Sequence, residues 1–130
     1  MIIIDTDICI ELLRGNQMVI ERRRDDTEDI AISFMSVAEL FYGAEKSDHM
    51  RENKALISEF LYTVEIIHSD LEILKKFGEI KSNLGRVGNI LADADIFIAA
   101  TAATQCDMLI TGNVKYFNRI AELRLENWLR

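Results

Sequence analysis

The sequence predicts an α/β fold in which a parallel sheet of about four to five short strands is covered by helices on both faces. Short, continuously apolar runs rich in β-branched residues alternate along the chain with longer stretches of helical periodicity. Strands without polar alternation are typical of parallel sheets, which are buried on both faces. The 130 residues are 49% hydrophobic, contain no proline and show no linker or repeat, so we expect one domain over residues 1–130.

The first half of the chain carries two predicted strands and four predicted helices. Strands are recognised as apolar β-branched runs, and helices by apolar residues that recur at spacings of three and four. In order, the elements are a strand at 2–4, helices at 8–13 and 18–24, an acidic connection at 25–29, a strand at 30–32, and helices at 36–43 and 48–62. We predict that the apolar side of the last helix carries Ala55, Leu56, Phe60 and Leu61.

The second half continues the alternation of strands and helices. A helix with a capping-box start, Ser69-Asp70-Leu71-Glu72, precedes a glycine-flanked break at 85–88. In order, the elements are a strand at 64–67, helices at 69–84 and 93–104, a strand at 108–110, and an edge strand within 123–128.

The composition argues against several classes of protein. No run approaches the roughly 20 apolar residues of a membrane span, and the apolar start is too short for a signal peptide, so we expect a cytoplasmic protein with no membrane partner. Cys9 and Cys106 lie in apolar helical patterns without CxxC spacing and are predicted to be buried free thiols. His49 and His68 lack ligand spacing, which argues against a zinc site.

The formal net charge of −7 argues against a protein that grips nucleic acid through general basic character. It is compatible with a nuclease that gathers acids around a metal, because the cation reverses the local sign of the charge. Basic residues are nevertheless bunched, and each bunch is either a solvated helix face or a phosphate contact. The bunches are 22–24, Lys46 with Arg51 and Lys54, 75–76, and Lys81 with Arg86.

Polar residues follow three of the predicted strands. They are Asp5-Thr6-Asp7 after the first strand, residues 33–36 after the second, and Thr111-Gly112-Asn113 after the strand at 108–110. In parallel sheets covered by helices, ligands bind outside the carboxyl ends of the strands. The sequence therefore predicts a ligand site where these three segments meet.

Asp5 and Asp7 each have a structural and a functional interpretation. Asp5 precedes a helix and could serve only as its N-cap, and Asp7 in the first turn could serve only to complement the helix dipole. The position of Asp5 at the end of a buried strand favours function, whereas spacing leaves Asp7 undecided.

Glu39 is ambiguous because it is the fourth residue of Ser36-Val37-Ala38-Glu39, which has the form of a capping box. The chain contains a comparison: Glu72 holds the same place in a second capping box and shows no sign of function. Spacing alone leaves capping and function equally open for Glu39.

Asp93 and Asp95 open the alanine-rich helix, where Asp93 fits the N-cap and Asp95 the first turn. The residues that follow Asp95 must be buried, and burying neighbouring carboxylates is costly unless a cation is shared between them. Asn113 is either a turn residue or a neutral oxygen ligand. Oxygen ligands without histidine or cysteine suit Mg²⁺, with Mn²⁺ as a substitute, and such a site suits phosphodiester hydrolysis.

Together these segments resemble a PIN-domain protein of the VapC toxin type. The resemblance rests on residues 3–7, 36–43, 95–102 and 109–113 and on the ending Leu123-Arg124-Leu125-Glu126-Asn127-Trp128, in order and with fitting spacing over the whole chain. It implies a Mg²⁺-dependent endoribonuclease, the toxin of a type II toxin–antitoxin pair, with tRNA or ribosomal RNA as substrate. It also implies a homodimer and inhibition by a small VapB-like antitoxin.

The resemblance assigns roles to individual residues. The family's carboxylates fall on Asp5, Glu39 and Asp95, and its fourth acidic position falls on Asn113, where many members have aspartate. That departure puts a full second metal site in doubt. Asp93 and Asp7 are auxiliary candidates, and Thr6 and Thr111 match positions where a hydroxyl orients a carboxylate or a metal-bound water.

Two alternatives compete with this assignment. Asp5-Thr6-Asp7 after an apolar strand also resembles the nucleophile motif of a haloacid-dehalogenase-like phosphatase, but only 19 residues follow Thr111 and they lack that family's later lysine and paired aspartates. The other alternative is a catalytically silent PIN fold that binds RNA or a protein partner.

Overall fold

The computed structural model describes residues 1–130 and contains one five-stranded sheet. Its strands are β1 (Ile2–Ile4), β2 (Ile30–Ser33), β3 (Glu65–Ile67), β4 (Met108–Ile110) and β5 (Leu125–Glu126). The spatial order is β3-β2-β1-β4-β5, and every neighbouring pair is parallel. The central strand places Ile3 opposite Ala31 of β2 and Leu109 of β4. The predicted fold class is confirmed.

Seven helices connect and cover the strands. They are α1 (Thr6–Leu13), α2 (Gln17–Asp25), α3 (Phe34–Glu45), α4 (Met50–Leu61), α5 (Leu71–Arg86), α6 (Asp93–Gln105) and α7 (Val114–Phe117). Helix α7 was not predicted from the sequence, because four residues are too few to show a helical period. None of the helices is long and apolar enough to cross a membrane.

The sheet has a hydrophobic core on each face, as the absence of polar alternation in the strands predicts. On one face Ile3 packs with residues of α5 and α6, such as Ile73 and Ile96. On the other face Ile4 packs with residues of the first four helices, such as Leu40. This confirms helices on both faces, because successive residues of a strand point to opposite sides of the sheet.

Helix α4 presents a different face to the core from the predicted one. Its buried residues are Ile57 and Phe60, one turn apart, whereas Ala55 and Leu56 are exposed. The predicted apolar side was therefore wrong for Ala55 and Leu56. The physical reason is that α4 packs against α1 and α3, and the stripe through Ile57 and Phe60 is the one that faces them.

Two predicted N-caps are displaced by one residue. At α5 the cap is Asp70, whose carboxylate accepts from the backbone N–H of Ile73 at 2.9 Å, so Ser69 lies outside the helix. At α6 the cap is Ala92, which makes no side-chain bond, and Asp93 is the first helical residue. At α5 the adjacent Ser69 and Asp70 both suit the cap, and at α6 the cap is a residue without a capping side chain, so spacing could not place either boundary to the residue.

The cysteines are free thiols, as predicted: Cys9 is buried, and Cys106 is half-buried. Burial raises the pKa of both thiols, which keeps them protonated at neutral pH.

The topology places a ligand-binding crevice beside the central strand. The chain builds β1, β2 and β3 outward in one direction and then returns to place β4 on the other side of β1. Such a reversal of strand order is where open parallel sheets bind ligands. Asp5 and Thr111, which follow β1 and β4, therefore lie at this switch point.

Candidate active site

Asp5 lies at the centre of the crevice and is almost completely buried, with 4% of its surface exposed. It caps α1 through Oδ1, which accepts from the N–H of Thr6 at 2.8 Å. Its Oδ2 accepts from Thr111 Oγ1, also at 2.8 Å. Asp5 can therefore cap the helix and belong to the site at the same time. One carboxylate oxygen caps α1, and the other is oriented by the threonine that follows β4.

Asp7 lies in the first turn of α1 and faces the end of β4. Its Oδ1 accepts from the N–H of Ile8 at 2.8 Å, and its Oδ2 accepts from the N–H of Gly112 at 2.9 Å. A Cβ at position 112 would lie 2.7 Å from Asp7 Oδ2 and 2.6 Å from Leu129 Cδ1, so glycine allows this close approach without displacing either side chain. Gly112 was predicted only as part of a segment, although a glycine at a strand end is a sign of close approach.

Glu39 is not part of a capping box, and that interpretation was wrong. Helix α3 begins at Phe34, and its cap is Ser33, whose hydroxyl accepts from the N–H of Met35 at 3.0 Å. Ser36 is buried inside the helix, so Glu39 lies in the second turn rather than at the third helical position. The cap was missed because Ser33 and Ser36 both precede apolar residues.

The carboxylate of Glu39 instead turns toward α1. Thr6 Oγ1 donates to Glu39 Oε1 at 2.7 Å and lies 2.9 Å from Ser36 Oγ. Thr6 is also the residue whose backbone N–H contacts Asp5. One threonine therefore links two of the predicted acids, and Ser36 joins the site in a role that was not predicted.

Asp95 lies in the first turn of α6, as predicted. Its Oδ2 accepts from the hydroxyl of Tyr116 at 3.1 Å, and that hydroxyl in turn accepts from the N–H of Ala92 at 3.2 Å. Sequence reasoning missed Tyr116. No local pattern could have found it, because it lies on the unpredicted helix α7, 21 residues from Asp95.

The side chains of the two remaining candidates, Asp93 and Asn113, form no hydrogen bond with the central acids. Asp93 is exposed and forms an ion pair with Lys81, with 2.9 Å between Oδ1 and Nζ. Asn113 contributes its backbone, whose N–H donates to Thr111 Oγ1 at 3.0 Å, and its side chain is exposed without a hydrogen bond. The structure thus gathers Asp5, Asp7 and Asp95, reaches Glu39 through Thr6, and places Asp93 and Asn113 at the rim.

Burial raises the pKa values of the three central acids, and repulsion by the other two adds to the rise at Asp5. Burial, followed by the charges of Asp7 and Asp95, raises the pKa of Asp5 to about 7. Burial also raises the pKa values of Asp7 and Asp95, although the Gly112 N–H and the Tyr116 hydroxyl, respectively, oppose the shift. These directions follow from carboxylates that are desolvated together.

No basic side chain forms an ion pair with Asp5, Asp7, Asp95 or Glu39. No group of three or more His, Cys, Asp or Glu side chains is drawn together closely enough to hold a metal by itself. A hard cation does not need such a cage, because Mg²⁺ keeps several waters and is usually bound by one or two carboxylates together with substrate phosphate. The all-oxygen donor set and its unpaired, desolvated charge therefore fit Mg²⁺ or Mn²⁺.

Comparison with known proteins gives matches over nearly the whole chain. Residues 2–123 match the PIN domain family. The chain is 34% identical over 127 residues to ribonuclease VapC2 of Haemophilus influenzae, which covers 97% of this chain and 96% of that protein. It is 31% identical over 126 residues to the tRNA(fMet)-specific endonuclease VapC of Salmonella typhimurium, which covers 96% of both.

A solved structure is also similar. The crystal structure of VapBC2 from Rickettsia felis, bound to a DNA fragment from their promoter, superimposes with a TM-score of 0.92 at 32% identity. The likeness covers 98% of this chain and 99% of that chain.

Proposed function

Because the chain belongs to the PIN-domain family, we propose that it is a Mg²⁺-dependent endoribonuclease of the VapC type, the toxin of a toxin–antitoxin pair. The single observation that carries this is the group of acids at the switch point, with Asp5 buried and Asp7 and Asp95 half-buried, whose pKa values are raised and which no basic side chain neutralises. The names of the two relatives support the choice of RNA as the substrate. The family match over residues 2–123 favours this function over a haloacid-dehalogenase-like phosphatase.

The residues that would hold the metal are Asp5 and Asp95, with Glu39 completing the set. When bound, Mg²⁺ or Mn²⁺ would polarise a phosphoryl oxygen and lower the pKa of a water molecule. Asp7 adds negative charge beside Asp5 and is fixed by Gly112. Asn113 replaces a fourth carboxylate, so we propose one resident ion rather than two.

The chain's own contribution is to fix the carboxylates in place. Thr111 and the Thr6 N–H orient Asp5, the Thr6 hydroxyl orients Glu39, and the Tyr116 hydroxyl orients Asp95. Glu39 Oε1 accepts from Thr6, whereas Oε2 makes no hydrogen bond within the chain. We assign to Glu39 Oε2 the proton of the attacking water, because that atom remains available to a solvent molecule.

The partners follow from the same proposal. We propose a VapB-like antitoxin as the inhibitor, since the solved structures that resemble this chain include VapBC complexes. We further propose a homodimer and action in the cytoplasm on tRNA or ribosomal RNA. The Salmonella relative is named for tRNA(fMet), which makes initiator tRNA the first substrate to try.

The test is cleavage of RNA by the purified protein. We expect wild-type protein with Mg²⁺ to cut total tRNA or ribosomal RNA at discrete sites, and EDTA to stop the reaction. In cells, expression of the chain alone should arrest growth, and Asp95→Asn should relieve the arrest. An Asp95→Asn variant as toxic as the wild type would remove Asp95 from the site. Clean wild-type protein that binds RNA and never cuts it would establish the alternative of a catalytically silent module.

A further inference from the structure

A cavity of about 320 Å³ beside the candidate active site is lined by three basic residues, Lys115, Arg119 and Arg130. Its lining contains no acidic residue. Four other cavities of the molecule each contain at least one acid beside their basic residues. In a chain of net charge −7, a cavity lined by three cations and no acid is unexpected and suggests a binding site for an anion.

The cavity and the acid site share residues. Gly112, Asn113 and Tyr116 line the cavity, and the same three residues contact the acid site. Gly112 donates to Asp7, Asn113 donates to the threonine that orients Asp5, and Tyr116 donates to Asp95. The basic residues are therefore adjacent to the acid site, and a polymer bound at the acids can contact both.

The three cations are available to a ligand. Lys115, Arg119 and Arg130 are exposed, and none of their side chains forms an ion pair. The Arg119 guanidinium lies over the ring of Tyr116, with its Cζ 5.5 Å from the ring centroid, which fixes it next to the residue that orients Asp95.

The basic bunches visible in the sequence are, by contrast, largely neutralised. Ion pairs occupy the following residues of those bunches: Arg22, Arg24, Lys54, Lys75, Lys76 and Lys81. The free cations next to the site come instead from α7, from the turn after it and from the end of the chain, which no sequence window brings together.

We propose that Lys115, Arg119 and Arg130 bind backbone phosphates of the RNA beside the phosphate that is cut. This rests on the proposed ribonuclease function and names the surface that supplies its affinity. The acids alone would repel a polyanion, and adjacent cations offset that repulsion by releasing the counter-ions of the RNA. Contacts to phosphates position a nucleic acid without reading its sequence.

The test measures the binding of labelled total tRNA over a range of salt concentrations, in Mg²⁺, with Asp5→Asn as the background that prevents cleavage. We expect Lys115→Gln/Arg119→Gln/Arg130→Gln to weaken binding roughly 100-fold at 0.1 M salt, about fivefold for each phosphate. The slope of log Kd against log salt should fall by about 0.7 to 0.9 for each phosphate that the variant no longer binds. In the active protein, the same changes should raise KM and leave kcat largely unchanged.

A matched control removes the same charge elsewhere: Arg24→Gln/Lys75→Gln/Arg86→Gln should alter the affinity and the salt slope only slightly. Arg119→Lys should retain most of the binding, which separates loss of charge from disturbance of Tyr116. The proposal is overturned if the cavity variant matches the control in Kd and salt slope. It is also overturned if that variant binds RNA normally and fails only to bind the antitoxin. Wild-type protein that neither binds nor cuts RNA would instead defeat the proposed function itself.

Discussion

The two ends of the central strands carry acidic residues in opposite electrostatic situations. At the amino ends, Glu28 and Asp107 precede β2 and β4 and both accept from the Met1 ammonium, at 2.8 Å and 2.7 Å. Hydrogen bonding to that ammonium lowers the pKa of Asp107. At the carboxyl ends, Asp5 and its neighbours have raised pKa values and no cationic partner.

The difference is that the chain supplies a cationic partner for the acids at the amino ends and none for the acids at the carboxyl ends. Exposed carboxylates near an ammonium ionise at little cost in folding free energy, because water and the cation both stabilise their charge. Buried carboxylates gathered without a cation cost stability, and such arrangements occur where a site binds or reacts. The contrast supports the proposal that a cation binds in the crevice.

The largest expected effect comes from exchanging one acid at each end for its amide. Asp5→Asn should lower kcat/KM for RNA cleavage about 1,000-fold, since a metal contributes several kcal/mol to the transition state and each 1.36 kcal/mol is tenfold. Asp107→Asn should leave cleavage unchanged. Single-turnover cleavage of total tRNA measures both variants. Equal losses of activity would show that the acids at the carboxyl ends have no special role in cleavage.

The second effect is on stability without metal. The pKa of Asp5 is raised from 3.8 to about 7, so the folded state holds this proton more tightly than the unfolded state. Its contribution to the free energy of unfolding is then largest near pH 4 and falls as the pH rises toward 7. In EDTA at neutral pH, Asp5→Asn should be more stable than wild type by about 4 kcal/mol.

Denaturant unfolding between pH 4 and pH 8 measures this difference. Added Mg²⁺ should stabilise the wild type more than Asp5→Asn, because the variant lacks the central one of the carboxylates proposed to bind it. Asp107 should behave in the opposite sense: its lowered pKa means that its contribution is lost as the pH falls. If the free energy of unfolding of the wild type rises steadily from pH 4 to pH 7 in EDTA, ionisation of Asp5 does not destabilise the fold and this prediction is wrong.

The third prediction compares two fully buried threonines. Thr111 donates to Asp5, whereas Thr101 donates to the backbone carbonyl of Phe97 within α6. Thr111→Val should lower cleavage and apparent Mg²⁺ affinity about 10- to 100-fold, the usual cost of losing a partner that orients a metal ligand. Thr101→Val should lose stability at most. Titration of cleavage with Mg²⁺ separates the two, and similar curves would show that Thr111 has only a packing role.

The sheet was predictable because its signal is local. Ile2, Ile3 and Ile4 form an apolar run too short and too β-branched for a helix, and each such run proved to be a strand. The position of Asp5 at the strand end then placed it in the site through a general rule of parallel sheets. Glu39 and Asp95 required the family resemblance, because capping and dipole effects explain acids at helix starts equally well.

The supporting contacts could not be predicted from sequence. Tyr116 and Asp95 are 21 residues apart, and Gly112 and Asp7 are 105 residues apart, so only the folded chain brings each pair into contact. The start of α3 was misplaced because Ser33 and Ser36 are both good caps. In the structure both are buried, and the helix begins at Phe34, so Ser33 is the cap and Ser36 lies inside the first turn. Tertiary packing, which has no local period, selects these partners.

The smallest expected effect concerns the hydroxyl of Tyr116. Tyr116→Phe removes the donor to Asp95 Oδ2 and keeps the ring on which Arg119 lies. Because that hydrogen bond opposes the rise in the pKa of Asp95, its loss should raise this pKa further and move the acid limb of the pH–rate profile to higher pH. We expect kcat/KM to fall roughly tenfold at neutral pH, the lower end of the cost for such partners. Tyr62→Phe, on a side chain that is 93% exposed, is the control and should leave the profile in place. An unshifted acid limb in Tyr116→Phe would show that Asp95 keeps its charge without help from α7.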